Sequence, residues 1–492
     1  MSRNNSLRVD GIDVDATQKS VIGACGLPLF TKYLDRTGFF RMVNRTLPRP
    51  GSNAGYMPDV YIKVLFALKL IFPDGTAPLQ RIDEMGKSKA VRRALGLKKL
   101  PCSEAVGDWL RRMGKCERVG TGDDGTPVLG GYKDGVERML EMFYWSAGAI
   151  LQRMGASLDG VLEFDASCIY GDKRCDEWMY TDAKGSMGYF GFIGRVCLMA
   201  ELERGNHSPS DNIALRIESC IELARRHGVD ISVVRTDAAG YTSAVINACE
   251  NAGRKFYVRA DMDYAVKRAC GAIDKEQWKD CTVETSKGKA PRQMAATVHC
   301  MNGTEKAFNL VVKRELVRAK DGAHPALTGL DAQAYKYWCI ATNEDVKIDS
   351  SDDGLTPAEI EEEFNDHCDV ENRVKQIKTD AGAGRLPTSE MSANRVYVYI
   401  MGMLSNLFEL FKVECLPPEY RNRRLPTIVR DLFLIPGRIL VKGHRMLIDL
   451  PVYLKHLVAV YQEALGAIKQ DVRVLAMSKS PPAFSQMIFR RD

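Results

Sequence analysis

Gly160-Val161-Leu162-Glu163-Phe164-Asp165-Ala166-Ser167 (GVLEFDAS) decides the fold class. A short apolar run reaches Asp165 and then meets small residues, the pattern of a buried strand ending at an acid. Asp230–Arg235 repeats it, with Asp237 at the end and Ala238-Ala239-Gly240 beyond. Between the two lie strand-like runs at Gly188–Phe192 and Val196–Glu201, and a helical stretch, Asn212–His227, closed by Gly228. After them, Tyr241–Ala252 reads as a helix ending at Gly253, and Lys255–Arg259 as another strand. Three strands, helix, strand, helix, strand predicts a mixed α/β sheet. Ligands of open α/β sheets gather at the carboxyl ends of strands, so Asp165 and Asp237 are candidate site residues. Glu163 competes with Asp165, because strand alternation turns both to the same side. Asp165 is preferred as the one nearer the strand's end.

Residues 20 to about 115 read as short helices, among them Asp59–Phe72 and Ser103–Met113, the second with Ser103 as a cap. Gly120–Gly131 (GTGDDGTPVLGG) reads as a linker or loop, followed by an amphipathic helix, Gly135–Met154. Thr282–Thr285, Gln293–His299, Ala307–Arg314 and Tyr335–Ala341 read as strands of a β-rich insertion. Thr356-Pro357-Ala358-Glu359 is a capping box, and its helix is predicted to run from about Pro357 to Asp380. A long apolar helix, Ala393–Phe411, a hairpin around Lys442-Gly443-His444 and a last helix, Pro451–Ile468, complete the chain. The resulting division is 1–134 (helical), 135–260 and 336–412 (two parts of one catalytic domain), 261–335 (insertion) and 413–492 (basic tail).

The chain has 492 residues, 45% hydrophobic and 27% charged, which excludes a disordered chain or a small disulfide scaffold. Val396–Phe411 is interrupted by Ser405, Asn406 and Glu409, short of the roughly 18 apolar residues of a membrane span. Met1–Ser20 is polar and lacks a signal peptide's apolar run, so a cytoplasmic protein is expected. The 14 cysteines include no CxxC pair, which favours reduced thiols over zinc sites. Net charge is +6, unevenly spread. Residues 1–100 hold 17 Lys/Arg against 8 Asp/Glu and residues 412–492 hold 14 against 7, leaving the middle at −10. Basic ends around an acidic centre suit a polyanion gripped outside and cations held inside. Arg92, Arg93, Lys98, Lys99, Arg111 and Arg112 are candidate phosphate contacts, or else a solvated helix face.

A third acid, Glu371, falls on the capped helix. Phe364, His367, Glu371, Lys375 and Lys378 recur at spacings of three, four, four and three, and so share one face. Carboxylates from two strands and a helix can hold two hard divalent cations, and Mg²⁺ prefers such oxygen ligands. A pair of ions of that kind serves phosphoryl transfer.

The combination resembles the DDE transposases of bacterial insertion sequences, of the insertion-sequence thirteen-eighty type. The resembling stretches are Leu162–Ser167 (LEFDAS), Arg235–Tyr241 (RTDAAGY), Trp338–Asn343 (WCIATN), Phe364–Asp380 (FNDHCDVENRVKQIKTD), Ser392–Asn394 (SAN) and Ile435–Pro451. The resemblance implies an RNase H-like catalytic domain interrupted by the β-rich insertion, with Asp165, Asp237 and Glu371 as the metal-binding triad. Related transposases carry a Tyr–Arg–Glu–Lys signature on the Glu helix. Here those positions hold Phe364, His367, Glu371 and Lys378, so Phe replaces Tyr and His replaces Arg. A phenylalanine cannot hydrogen-bond a phosphate, and a histidine does so with a charge that depends on pH. The resemblance also implies that Trp338 stacks on a flipped base and that Lys378 contacts a phosphate.

These readings converge on a cut-and-paste DNA transposase with Mg²⁺ (Mn²⁺ as a substitute), binding terminal inverted repeats and target DNA, and dimeric with DNA. A transposase-derived DNA-binding regulator predicts end binding without Mg²⁺-dependent cleavage. An RNase H-like nuclease predicts cleavage without joining.

Overall fold

The computed structural model describes residues 8–9, 12–13, 22–50, 55–73, 75, 77–115, 117–121, 127–130, 134–285, 288–316, 335–347, 353–365, 368–442 and 445–470. The chain divides into two compact units, one drawn from residues 1–109 together with 410–475, the other centred on 110–409.

In the first unit, a two-residue strand pair, β1 (Arg8–Val9) and β2 (Ile12–Asp13), precedes the helices. These are α1 (Leu27–Thr37), α2 (Phe39–Thr46), α3 (Pro58–Ile71), α4 (Arg81–Lys87), α5 (Lys89–Ala94) and the start of α6 (Ser103–Gly114). Gly38, at φ +80°, ends α1 and opens α2 in one tight corner that a side chain would strain. The basic tail is not a region apart. Phe30 and Tyr33 of α1 pack on Phe411, the Tyr33 hydroxyl donates to Glu414 at 2.7 Å, and Ile22 forms a backbone bridge with Gly437. Residues of the 22–109 and 410–470 stretches therefore share one apolar core.

In the second unit, Gly120–Gly131 is not simply a loop. Glu117–Thr121 (β3) pairs antiparallel with Pro127–Gly130 (β4), a hairpin that the Gly/Asp-rich composition hid. After α7 (Gly135–Met154) come β5 (Val161–Tyr170), β6 (Glu177–Trp178), β7 (Lys184–Ile193), β8 (Val196–Arg204), α8 (Ile213–Arg226), β9 (Val233–Thr236), α9 (Ser243–Asn251), β10 (Lys255–Ala260) and α10 (Tyr264–Gly271). Next are β11 (Lys279–Thr285), β12 (Gly288–His299), β13 (Phe308–Leu316) and β14 (Tyr335–Thr342). The ten strands β5–β14 form one mixed sheet, in the order β11-β12-β13-β14-β10-β9-β5-β7-β6, with β8 also on β7. The β-rich stretch thus extends the edge of the same sheet, because β14 pairs antiparallel with β10 and passes the ladder on to β13.

Helices α7 and α8 pack on the β8 side of the sheet. The other face carries α11 (Pro357–Asn365), whose Ile360 is fully buried among Tyr257, Met294, Val311 and Ile340. The capping box forms as expected. Thr356 N–H donates to Glu359 Oε2 at 2.8 Å, and Glu359 N–H to Thr356 Oγ1 at 3.3 Å. Thr356→Ala should cost about 1 kcal/mol in denaturant unfolding, and Thr356→Ser almost nothing.

The expected helix from Pro357 to Asp380 is seen as α11 up to Asn365 and, past two residues outside the described ones, as α12 (Cys368–Lys375), and it closes in a π-helical turn, Gln376–Asp380, in which Ala381 N–H reaches back to Gln376 O at 2.9 Å. A wider turn shifts the helical phase of the residues within it, and Lys375 and Lys378 still line one cavity together with Phe364. Finally α13 (Met391–Cys415) is, by length and composition, apolar enough to cross a membrane, more so than its interrupting polar residues suggested. Of its most apolar window 89% is buried in the protein, where Asn406 pairs with both backbone groups of Cys197 at 2.8 and 2.9 Å.

Candidate functional site

Strands β5 and β9 run parallel and in register, Val161 opposite Val233 through Phe164 opposite Thr236. Asp165 and Asp237 are each the next residue. Register alone therefore turns both carboxylates to the same face, on strands about 4.8 Å apart. The expectation that Asp165 ends its strand needs correction, because β5 runs on to Tyr170 against β7. What ends at Phe164 is the pairing with β9, and that leaves the same open edge at the same place. Asp237 leaves the sheet into a short 3₁₀ turn, with Oδ1 accepting from Ala239 N–H at 3.0 Å.

Glu163, the competitor, is already engaged. It lies opposite Arg235 in the register and accepts from the Arg235 Nη1 at 3.0 Å, while Nη2 donates to Glu363 of α11 at 2.9 Å. Arg235 is only 6% exposed, so this three-membered bridge ties β5, β9 and α11 together beneath the site.

The two aspartates open onto a cavity of about 650 Å³ lined also by Ser167, Cys168, Tyr170, Tyr180, Arg259, Phe364, Lys375 and Lys378. Lys378 spans it from the π-turn, donating to Ser167 Oγ at 3.0 Å and Cys168 O at 2.6 Å. Burial pushes the Lys378 ammonium down from the usual lysine range, against the opposing pull of Cys168 and Asp165. Phe364 lines the cavity and also packs on the core beneath α11, which makes the aromatic ring an anchor in the place of a polar ligand.

The remaining expected residues divide. Glu371 lies on α12, which packs against β5, but its side chain lies outside the described atoms, and His367 lies outside the described residues. Asp165 and Asp237 line one cavity, and among the described residues, which exclude the Glu371 side chain, no three His, Cys, Asp or Glu side chains cluster as metal ligands. Trp338 is half-buried on β14, with the Lys313 and Lys336 ammonium groups 5.0 and 4.8 Å from its ring centroid. By register it shares the face of Arg259 and Asp237, two strands over and two residues along from Asp237, hence about 12 Å away on the same edge. Arg111 Nε lies 3.5 Å from Glu390 Oε1 and Arg112 is exposed on α6, and neither lines the cavity. Arg92 and Arg93 donate to the backbone carbonyls of Gly86 and Ile439. Arg259, Tyr170 and Tyr180 were missed. Arg259 was findable, because it follows the Thr236–Val258 pair just as Asp237 does.

The carboxylate pair at the sheet edge shares its cavity with the half-buried Lys378 and the exposed Lys375 and Arg259, cations that suit an anionic ligand. Residues 156–473 match the family model of the transposase DDE domain, group 1, a span well over half the chain. The chain belongs to that family and is a transposase enzyme, and transposases of this kind generally use divalent metal ions. Among solved structures it is similar to a cryo-EM structure of the piggyBac transposase synaptic complex with hairpin DNA, at 10% identity and a TM-score of 0.40, over 93% of this chain and 86% of that one. No curated protein matches.

Proposed function

We propose that this chain is a cut-and-paste DNA transposase that cleaves transposon ends and joins their 3′-hydroxyls to target DNA. The observation that carries the reading is the in-register placement of Asp165 and Asp237 one residue beyond the β5–β9 parallel pairing. The strand order β8-β7-β5-β9-β10, with the first three antiparallel and the last two parallel to β5, supports an RNase H-like core. The group implied by the family fits these residues: two oxygen donors share one face at a cavity mouth, and Glu371 follows on a helix packed against the same strand. Asp165, Asp237 and Glu371 would hold a Mg²⁺ pair, with Mn²⁺ as a substitute. When bound, such ions lower the pKa of water and stabilise charge on the oxygens of an in-line displacement.

The chain's own groups supply the grip. Lys378 and Lys375 meet phosphate oxygens in the cavity, and Trp338 offers a ring at its flank. Arg111 and Arg112, with the first unit, hold the inverted repeats, and two copies hold two ends. The insertion-sequence subfamily and a cytoplasmic site of action accompany this reading. Its test is incubation of the purified chain with end-labelled element DNA, with Mg²⁺ or with chelator. Nicked strands with free 3′-hydroxyls, and joined products, are expected only with Mg²⁺. Binding without any cleavage overturns it.

Lys378 gives the cavity a pH dependence. A lysine held low by desolvation loses its charge at a lower pH than an exposed one, and its pull on phosphate goes with it. DNA affinity of the wild type should therefore fall as pH rises through that lowered value, by roughly tenfold if one charge-assisted contact is lost. Lys378→Arg should hold its affinity over the same range. Fluorescence anisotropy at fixed ionic strength checks this, and a parallel fall in both proteins counts against it.

A further inference from the structure

Three large aromatic side chains stand in solvent just beyond the paired aspartates. Tyr170 is 60% exposed at the end of β5, Trp178 64% exposed on β6, and Tyr180 67% exposed two residues later. Tyr170 and Tyr180 line the cavity of Asp165 and Asp237, with Cys168 Sγ 3.9 Å from the Tyr180 hydroxyl. Trp178 lies opposite Lys184 in the β6–β7 register, with the ammonium 5.6 Å from its ring centroid. Large apolar groups clustered at a surface mark a place that something covers. The neighbours say what kind of molecule that is. Lys184 sits by one ring, and Lys375, Lys378 and Arg259 share the cavity with the other two. Flat rings alternating with cations suit a single nucleic-acid strand, whose bases stack while its phosphates meet the charges. An apolar protein surface would leave those cations unpaired.

We propose that Tyr170, Trp178 and Tyr180 form a stacking rim that takes unpaired nucleobases of the DNA strand beside the paired aspartates. The rim rests on the transposase reading of the cavity and deepens it, by naming an opened or frayed strand as the form of DNA held there. It stands on the β5–β7 side, across the aspartates from Trp338, so a strand crossing the carboxylates meets aromatic groups on both sides.

The test uses the full chain without divalent ions and two labelled probes of mixed sequence, a single strand of about 12 nucleotides and the duplex of the same sequence. Against wild type, the triple variant Tyr170→Ala, Trp178→Ala, Tyr180→Ala should lose roughly a hundredfold or more on the single strand and less than about threefold on the duplex. Tyr170→Phe with Tyr180→Phe, which keeps both rings, should bind the single strand as wild type does. Matching thermal melts exclude a folding defect. Equal losses on both probes, or unchanged single-strand affinity, overturn the rim. If wild type fails to cut with Mg²⁺ while the selective single-strand loss is seen, the rim stands and the proposed chemistry falls.

Discussion

Asp237→Asn and Asp165→Asn should each reduce Mg²⁺-dependent cleavage of element ends at least about 10²–10³-fold, the scale of removing one electrostatic stabiliser of a transition state. Asparagine is the informative replacement. Asp237 Oδ1 accepts from Ala239 N–H and so caps the turn Ala238–Gly240. Alanine would remove that acceptor and cost about 1 kcal/mol of stability along with the charge. Asparagine keeps an oxygen acceptor and removes only the charge, so the loss can be assigned to the carboxylate. Binding of end DNA without divalent ions should move the other way, unchanged or tighter, because a negative charge has left a site for a polyanion. Glu163→Gln separates the two acids of β5. Its partner is Arg235, so it should retain cleavage when assayed well below its melting temperature. Single-turnover cleavage and binding of the same probe, measured side by side, check all three. Cleavage by Asp165→Asn near the wild-type rate would transfer the role to Glu163.

The sheet around these aspartates was legible because its strands are apolar runs punctuated by small residues. The expected strands Gly188–Phe192 and Val196–Glu201 fall within β7 and β8, and Asp230–Arg235 overlaps β9. What was not legible depended on contacts distant in sequence. Nothing local stops β5 at Asp165, since β7 continues to pair with it, and only the departure of β9 creates the open edge. The strands after residue 261 read as β, but whether they made a separate module or lengthened the sheet was decided by the β10–β14 ladder. Helical spacing placed Phe364, Lys375 and Lys378 on one face and all three line the cavity, but the π-turn that carries Lys378 has no simple signature in hydrophobic periodicity. The choice between Glu163 and Asp165 was also undecidable by alternation, which puts both on one face. In the structure Glu163 is the one bound to Arg235.

Arg235→Met should destabilise the second unit by about 3 kcal/mol, the lower end of the cost of breaking a buried ion pair by removing one partner. The guanidinium is buried and joins Glu163, 12% exposed, to Glu363, 47% exposed. The Glu363 branch faces water and contributes at most about 1 kcal/mol. The Glu163 branch carries the rest, because its carboxylate would remain half-buried on the strand face it shares with Asp165, without its cation. A lysine in place of Arg235 has a single ammonium that cannot reach two carboxylates from a fixed position, so Arg235→Lys should fall between. Adding Glu163→Gln to Arg235→Met removes the stranded charge, and the double variant should be more stable than the sum of the single losses by about 1 kcal/mol or more. Urea unfolding of the four proteins measures the cycle. Strict additivity would show that the bridge is not an energetic unit. A cost under about 1 kcal/mol for Arg235→Met would mean that α11 is held to the sheet by its other contacts, Ile360, Phe364 and the buried Glu361–Lys313 ion pair. In the expected case α11, which leads toward the helix bearing Glu371, depends on an arginine two residues before Asp237, so one short stretch of β9 both presents a carboxylate and secures the helix beneath which it works.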